Sequence, residues 1–264
     1  MSLGKDINTG FSCYGKAIGF IFRNNLWWLF IFPVLLNLLL FLGGFAIVDS
    51  LTELVKSWTL DAIGIANDSS FFGKLFGGIV TGFIWVTFKV IFFLLFAYTG
   101  GYVVVVILSP VLAYLSEKTE KILTGKDYPF DAQQLARDIV RGVLIAARNF
   151  FIELLWMIVL FTLSFIPVIG WLTSIVLLII SSYFYGFSFV DYTNERKRFT
   201  ISQSVSWMRK HKGMAIANGF VFALLLLIPF CGVTLSGFAA IISVVAATLA
   251  VFEIVKREDG KSAA

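Results

Sequence analysis

Few side chains in this chain of 264 residues could make or break bonds. Its single histidine, His211, sits among Arg209, Lys210 and Lys212, where neighbouring cations lower proton affinity, and it reads as a solvated loop residue, not a catalytic base. The two cysteines, Cys13 and Cys231, lie far apart in separate apolar contexts and match neither a disulfide framework nor a metal spacing, so both read as inert thiols. The sequence has no G-x-S-x-G, no H-E-x-x-H, no Walker loop and no aspartate pair inside an apolar run. Enzyme, cofactor-binding and metal-binding readings are therefore set aside.

What remains is a handful of polar residues in apolar surroundings. Asn37 lies four residues after Pro33, and its amide reads either as a solute contact or as an interhelical hydrogen bond. Glu153 reads as an interfacial partner of Arg148 or Arg141, with a proton relay as the alternative. Lys89 reads as an anchor whose stem crosses apolar surroundings to reach headgroups. The G-x-x-x-G spacings Gly15–Gly19, Gly73–Gly77 and Gly78–Gly82 read as close helix packing.

The elements that carry these residues follow from composition. Hydrophobic residues make up 59% of the chain and charged residues 14%, against about 25% charged in soluble domains. The shortfall is gathered in long uncharged runs, so the chain reads as an all-α integral membrane protein, its partner the lipid bilayer and not nucleic acid. No cleavable signal peptide is expected in residues 1–23. One membrane domain over 1–264 is expected: an amphipathic N-terminus (1–25), a first span (26–48), an acidic outer loop (49–74) and a long helix (75–115) with Val90 to Pro110 crossing. A cytoplasmic segment (116–150) follows, in which Arg137, Arg141 and Arg148 share a face of a basic amphipathic helix at the membrane surface, then a hairpin (151–190), a basic loop (191–213), a second hairpin (214–252) and a tail (253–264).

Both hairpins turn at the same motif, Ile166-Pro167-Val168-Ile169-Gly170 and Ile228-Pro229-Phe230-Cys231-Gly232. Proline disfavours helix in the residue before it and glycine permits a tight turn after it. The first arms, Phe151 to Ile166 and Met214 to Ile228, would rise only about 24 Å and about 22 Å, short of a full crossing. Such re-entrant hairpins read either as a solute pathway, with helix N-termini at Gly170 and Gly232 offering unpaired N–H groups to an anion, or as packing alone. All of the 21 Lys and Arg except Lys56, Lys74 and Lys89 fall on one side of this scheme, which predicts cytoplasmic N- and C-termini.

The series Phe32-Pro33-Val34-Leu35-Leu36-Asn37, Ser109-Pro110, Leu115-Ser116-Glu117, Leu123-Thr124-Gly125, the two I-P-x-x-G turns and Asp191-Tyr192 resembles the CysZ-like sulfate permease family and its etoposide-induced-protein relatives. The resemblance runs from about Gly10 to Phe252. It implies a helical bacterial inner-membrane protein, often a homo-oligomer, with two long transmembrane helices and two partly penetrating hairpins, that passes sulfate inward. Family members that handle sulfate carry a glycine, an apolar residue and one or two arginines just before the first-span proline. The matching positions here are Asn25, Leu26, Trp27 and Trp28, preceded by Asn24, so the charge-assisted donors a dianion needs are replaced by interfacial anchors. A permease or channel for a small anion is expected, with sulfate weakly bound. The alternative is a non-transporting scaffold or lipid-interacting protein whose basic segments grip anionic headgroups.

Overall fold

In the first connection of the chain, Asn24, Asn25 and Leu26, positions matched to the relatives' anion motif, close a helix. The computed structural model, which describes residues 3–63, 71–125, 132–166, 169–228 and 232–262, has helix α1 over Leu3–Arg23, closed by a left-handed Asn25 (φ 53°). The Leu26 N–H reaches back to Ile21 O (2.9 Å) and the Asn25 N–H to Phe22 O (3.4 Å). Leu26 and Ile21 are both buried. This is the hydrophobic C-terminal cap in which Asn can replace Gly. A short 3-10 turn, Trp27–Phe30, leads into α2 (Ile31–Ile63).

Every described element is helical: α3 (Phe71–Ile107), α4 (Ser109–Thr124), α5 (Ala132–Ser164), α6 (Ile169–Arg196), α7 (Ile201–Lys210), α8 (Lys212–Leu226) and α9 (Gly232–Ser262) complete the order. The chain divides into two units, residues 34–100 and the remainder. The smaller unit comprises most of α2 and α3, which display exposed Leu38, Leu54, Trp58, Ile79 and Phe83. Lys89 lies 4.5 Å over the Trp85 ring, which suits a cation held at an interface.

Several expected boundaries move. The acidic loop after Asp49 is helical as far as Ile63, so an acidic stretch without Pro or Gly simply continues α2. The helix expected over 75–115 breaks at Leu108 and bends by 67°, with Pro110 in the first turn of α4. Proline is tolerated there because first-turn N–H groups lack helical partners anyway. Gly125 closes α4 in the left-handed region (φ 71°).

The largest correction concerns the surface segment. α5 runs unbroken from Ala132 to Ser164, joining the basic stretch to the first hairpin arm, so this arm is not short. Its polarity is also inverted: Val140, Val143 and Leu144 are exposed, whereas Arg141 turns inward. Likewise the basic loop after Asp191 is mostly helix, formed by the end of α6 and by α7. Thr200 and Gln203 close a reciprocal capping box at the start of α7 (2.8 and 3.2 Å). Among the described residues three helices are long and apolar enough to cross a membrane, Ile139–Ser164, Gly170–Arg196 and Thr234–Asp259, or five if each bent pair counts as one span. α8, with 15 residues, remains short.

In the larger unit α6 packs on α8, and α1 lies along α8 and α9. The α6–α8 crossing depends on Gly186 and Gly219. A Cβ on Gly186 would sit 1.9 Å from Ala215 O, and one on Gly219 1.9 Å from Ser182 O. The G-x-x-x-G glycines behave otherwise: among the described residues nothing lies within 4 Å of where a Cβ would stand on Gly15, Gly19, Gly78 or Gly82, so no close packing centres on them there.

Candidate functional site: a polar seam between α5 and α6

α5 and α6 face each other through a row of polar side chains. At one end the Arg141 guanidinium takes Asp191 in a two-pronged grip, Nε to Oδ2 and Nη2 to Oδ1, both 3.1 Å. Arg141 also lies 3.7 Å from Glu195 and donates to Ser204 Oγ (2.9 Å) and to the Phe199 carbonyl. Further along, the buried Asn149 amide donates to Ser188 Oγ (3.1 Å) and the Phe184 carbonyl (3.3 Å), and accepts from Arg148 (3.0 Å). One turn beyond it, buried Glu153 accepts hydrogen bonds from Tyr102 and Ser181. The spacing 141, 149, 153 is one helix face, and Arg141 to Glu153 covers about 18 Å at 1.5 Å per residue.

Glu153 is therefore not the partner of Arg148 or Arg141. The arginines face Asn149 and Asp191, and the carboxylate is held by two neutral hydroxyls. His211 is likewise not solvated. It is fully buried, with Nδ1 3.5 Å from Asp6 on α1, Nε2 3.6 Å from Glu258 on α9, and its ring 4.4 Å from that of Trp207. Its pKa lies below the ordinary value because burial outweighs the attraction of Glu258 and Asp6. Arg196 makes a second enclosed pair with Glu120 (2.6 Å) and donates to Ser116 (2.9 Å), whose hydroxyl also meets Thr248 (2.8 Å).

The residues marked out by sequence are scattered. The Asn24 side chain donates to Phe20 O (2.8 Å), satisfying a carbonyl at the end of α1. Asn25 is the left-handed cap residue, Leu26 is buried, and Trp27 and Trp28 are exposed. Asn37 is half-buried on α2, in the smaller unit. Pro167 and Pro229 lie outside the described residues, as do Val168 and Cys231. Gly170 and Gly232 form matching turns: each N–H is bonded to the carbonyl of the isoleucine four residues back, Ile166 (3.2 Å) or Ile228 (2.9 Å). These two N–H groups are thus not the free anion donors expected. A Cβ on Gly170 would lie 2.7 Å from Ser164 O, and one on Gly232 2.7 Å from Leu225 O, so close backbone approach demands glycine.

The seam was missed because its members look unremarkable singly. The usable signal was the i, i+4 pair Asn149 and Glu153 set against Ser181, Ser188 and Asp191 seven and three residues apart on the next helix.

A chain built of apolar helices of spanning length, with the ionic pairs Arg141–Asp191 and Arg196–Glu120 enclosed between helices, is an integral membrane protein. It belongs to the Sulfate transporter CysZ/Etoposide-induced protein 2.4 family, which matches residues 13–236. Similar proteins include Sulfate transporter CysZ of Pseudomonas aeruginosa strains LESB58 and PAO1, each 26% identical over 225 residues, covering 81% of this chain and 84% of the relative. Sulfate transporter CysZ of Pseudomonas fluorescens Pf0-1 is 28% identical over 148 residues, 55% of this chain and 59% of that one.

Proposed function

We propose that this protein is a membrane permease or channel for a small anion, sulfate among the candidates, in the inner membrane of a bacterium. Family membership over most of the chain carries the reading. The enclosed seam between two helices of spanning length supports it, since polar groups in a membrane bundle cost free energy unless they serve packing or a path. In this reading α2 and α3 are the two long transmembrane helices and the α5–α6 and α8–α9 hairpins penetrate from the cytoplasmic side. Uncharged tips support that arrangement, with Phe165, Trp171, Leu227 and Ile228 exposed. Cysteines placed at Asn67 and Ser202 should label with an impermeant thiol reagent from outside and inside respectively; equal labelling of both from one side would defeat the orientation.

The relatives' printed name makes sulfate the first solute to test. Trp27 and Trp28 stand where sulfate-handling members have arginine, and each missing charge-assisted bond costs about 1.5–3 kcal/mol, at least tenfold in affinity. Purified protein in liposomes should pass sulfate faster than empty liposomes, with weak binding that tightens in the Trp27→Arg, Trp28→Arg variant. No flux across a broad anion panel would overturn the transport reading. Flux with no gain from the arginines would move the site away from the start of α2.

A further inference from the structure

Among the described residues three helix ends close in the left-handed region, and two of them use residue types that tolerate it, Asn25 (φ 53°) and Gly125 (φ 71°). The third uses Arg198 (φ 57°), just past the end of α6. Its N–H meets Glu195 O (2.7 Å) and the Phe199 N–H reaches Asn194 O (3.3 Å), the two-bond closure in which glycine is the usual occupant. An L side chain there crowds its own backbone, so a cation is kept at this point against local preference. Nothing within the chain explains it: among the described residues the exposed Arg198 guanidinium has no acidic partner. The surroundings carry one sign of charge. Residues 196–212 hold Arg196, Lys197, Arg198, Arg209, Lys210 and Lys212 and no acid. Arg196 is taken by Glu120 and Lys210 reaches Glu258 (2.8 Å), which leaves Arg198, Arg209 and Lys212 exposed without a carboxylate among the described residues. α7 turns Ser204 and Met208 into the protein, and its opposite face, Ser202, Ser206 and Arg209, outward.

We propose that the outer face of α7 lies against anionic phospholipid headgroups, Arg198 taking one phosphate at its start and Arg209 with Lys212 another at its end. The depth fits. The candidate span of α6 ends at Arg196 and the apolar helix α8 begins at Lys212, so the 10 residues of α7, about 15 Å long, join two apolar helices at the level where headgroups lie. A guanidinium takes two phosphate oxygens in parallel hydrogen bonds, which a point-like ammonium does not, and this favours arginine at the strained position. Ile201, exposed in the first turn of α7, offers an apolar contact beside it, the usual companion of cations on a helix lying in the interface. The surface of an anionic leaflet attracts basic residues that lie within a Debye length of it, and the three unpaired cations meet that condition at both ends of α7. The inference needs only that the chain lies in a bilayer, and it stands apart from the transport reading.

The test melts full-length protein in neutral detergent, alone or with added phosphatidylglycerol, phosphatidylcholine or glycerol phosphate, the last carrying the charge without the chains. Wild-type protein should melt several degrees higher with phosphatidylglycerol and not with the other two, and high salt should shrink the rise. Arg198→Gly should melt no lower than wild type in detergent alone, because glycine suits the left-handed backbone, yet should lose roughly half or more of the phosphatidylglycerol rise. Arg137→Gln, which removes an exposed cation of α5, should keep the full rise. An unchanged rise in Arg198→Gly, or an equal loss in Arg137→Gln, would mean diffuse charge and no site, and would overturn the proposal. A rise of the same size with glycerol phosphate would make the ligand a soluble phosphate, and one with phosphatidylcholine would make the effect apolar; either result sinks the lipid assignment. Arg198→Gly melting well below wild type in detergent alone would show that the arginine is kept for a contact within the chain, and the proposal would fall.

Discussion

The two hairpins share a turn but not an interior. At Gly170 and at Gly232 the same glycine N–H closes on the same isoleucine carbonyl, with the same lack of room for a Cβ. Away from the turn they diverge. The interface of α5 and α6 is held by a charged pair, an amide and a carboxylate. α8 is held by close backbone approach instead, Gly219 against Ser182 and Gly186 on α6, and by the neutral contacts of Asn218 with Ser243 (3.1 Å) and Tyr14 (2.5 Å). A repeated turn thus fixes only where a chain reverses, and residues more than two turns back decide what holds the arms. Between the arms of the first hairpin lies a charged pair, whereas α8 is braced against α6 by backbone contact.

The sharpest way to break that contrast is to damage each hairpin by its own mechanism. Arg141→Met leaves Asp191 and Glu195 enclosed without their cation, which should cost about 3–5 kcal/mol. Replacing Asp191 as well, with Asn, should recover part of the loss, because the stranded charge is then gone. Gly219→Ala should cost about 1–3 kcal/mol or more by forcing α6 and α8 apart, and no charge change elsewhere should relieve it. Thermal unfolding in detergent reads both. If the Asp191 change fails to help Arg141→Met while a second small residue facing Gly219 rescues the first-hairpin variant, the division of roles between the hairpins is wrong.

How much of this was legible follows from what each residue type can signal alone. The helical membrane class and the positions of both turns could be read from long uncharged runs and from Pro-x-x-Gly, because hydropathy and turn chemistry are local. Helix continuity through residues 49–63 and 132–151 was misjudged. In 49–63 charge was taken to mean loop, and the basic amphipathic helix read over the second stretch was separated from the arm that follows it, yet charged residues without Pro continue a helix readily. Asn24 and Asn25 were placed at the relatives' anion motif before the first-span proline, but the amide of one and the left-handed backbone of the other end α1. Glu153 and His211 were assigned by their sequence neighbours, whereas their partners come from Tyr102, Ser181, Asp6 and Glu258, all more than twenty-five residues away. Burial in a bundle is set by which faces meet, and one-dimensional spacing does not contain that.

The smallest expected effect concerns His211, which belongs to neither seam and joins α1 and α9 to the start of α8. Burial lowers its pKa although Asp6 and Glu258 pull the other way and Lys210 adds to the lowering. For a base whose folded pKa lies below its unfolded value, the unfolded chain binds more protons between the two values, so stability rises with pH across that interval. The contribution is fully present above the ordinary histidine value of about 6.5 and is lost as pH falls below it, at about 1.4 kcal/mol for each unit of difference. Wild-type protein in detergent should therefore melt at a lower temperature as the buffer is taken through mildly acidic pH, and His211→Gln should flatten that part of the profile. The measurement can also come out reversed. A protein that gains stability on mild acidification would mean that the imidazolium is welcomed by Asp6 and Glu258, and that the two carboxylates, not the burial, govern how α1 and α9 are held to α8.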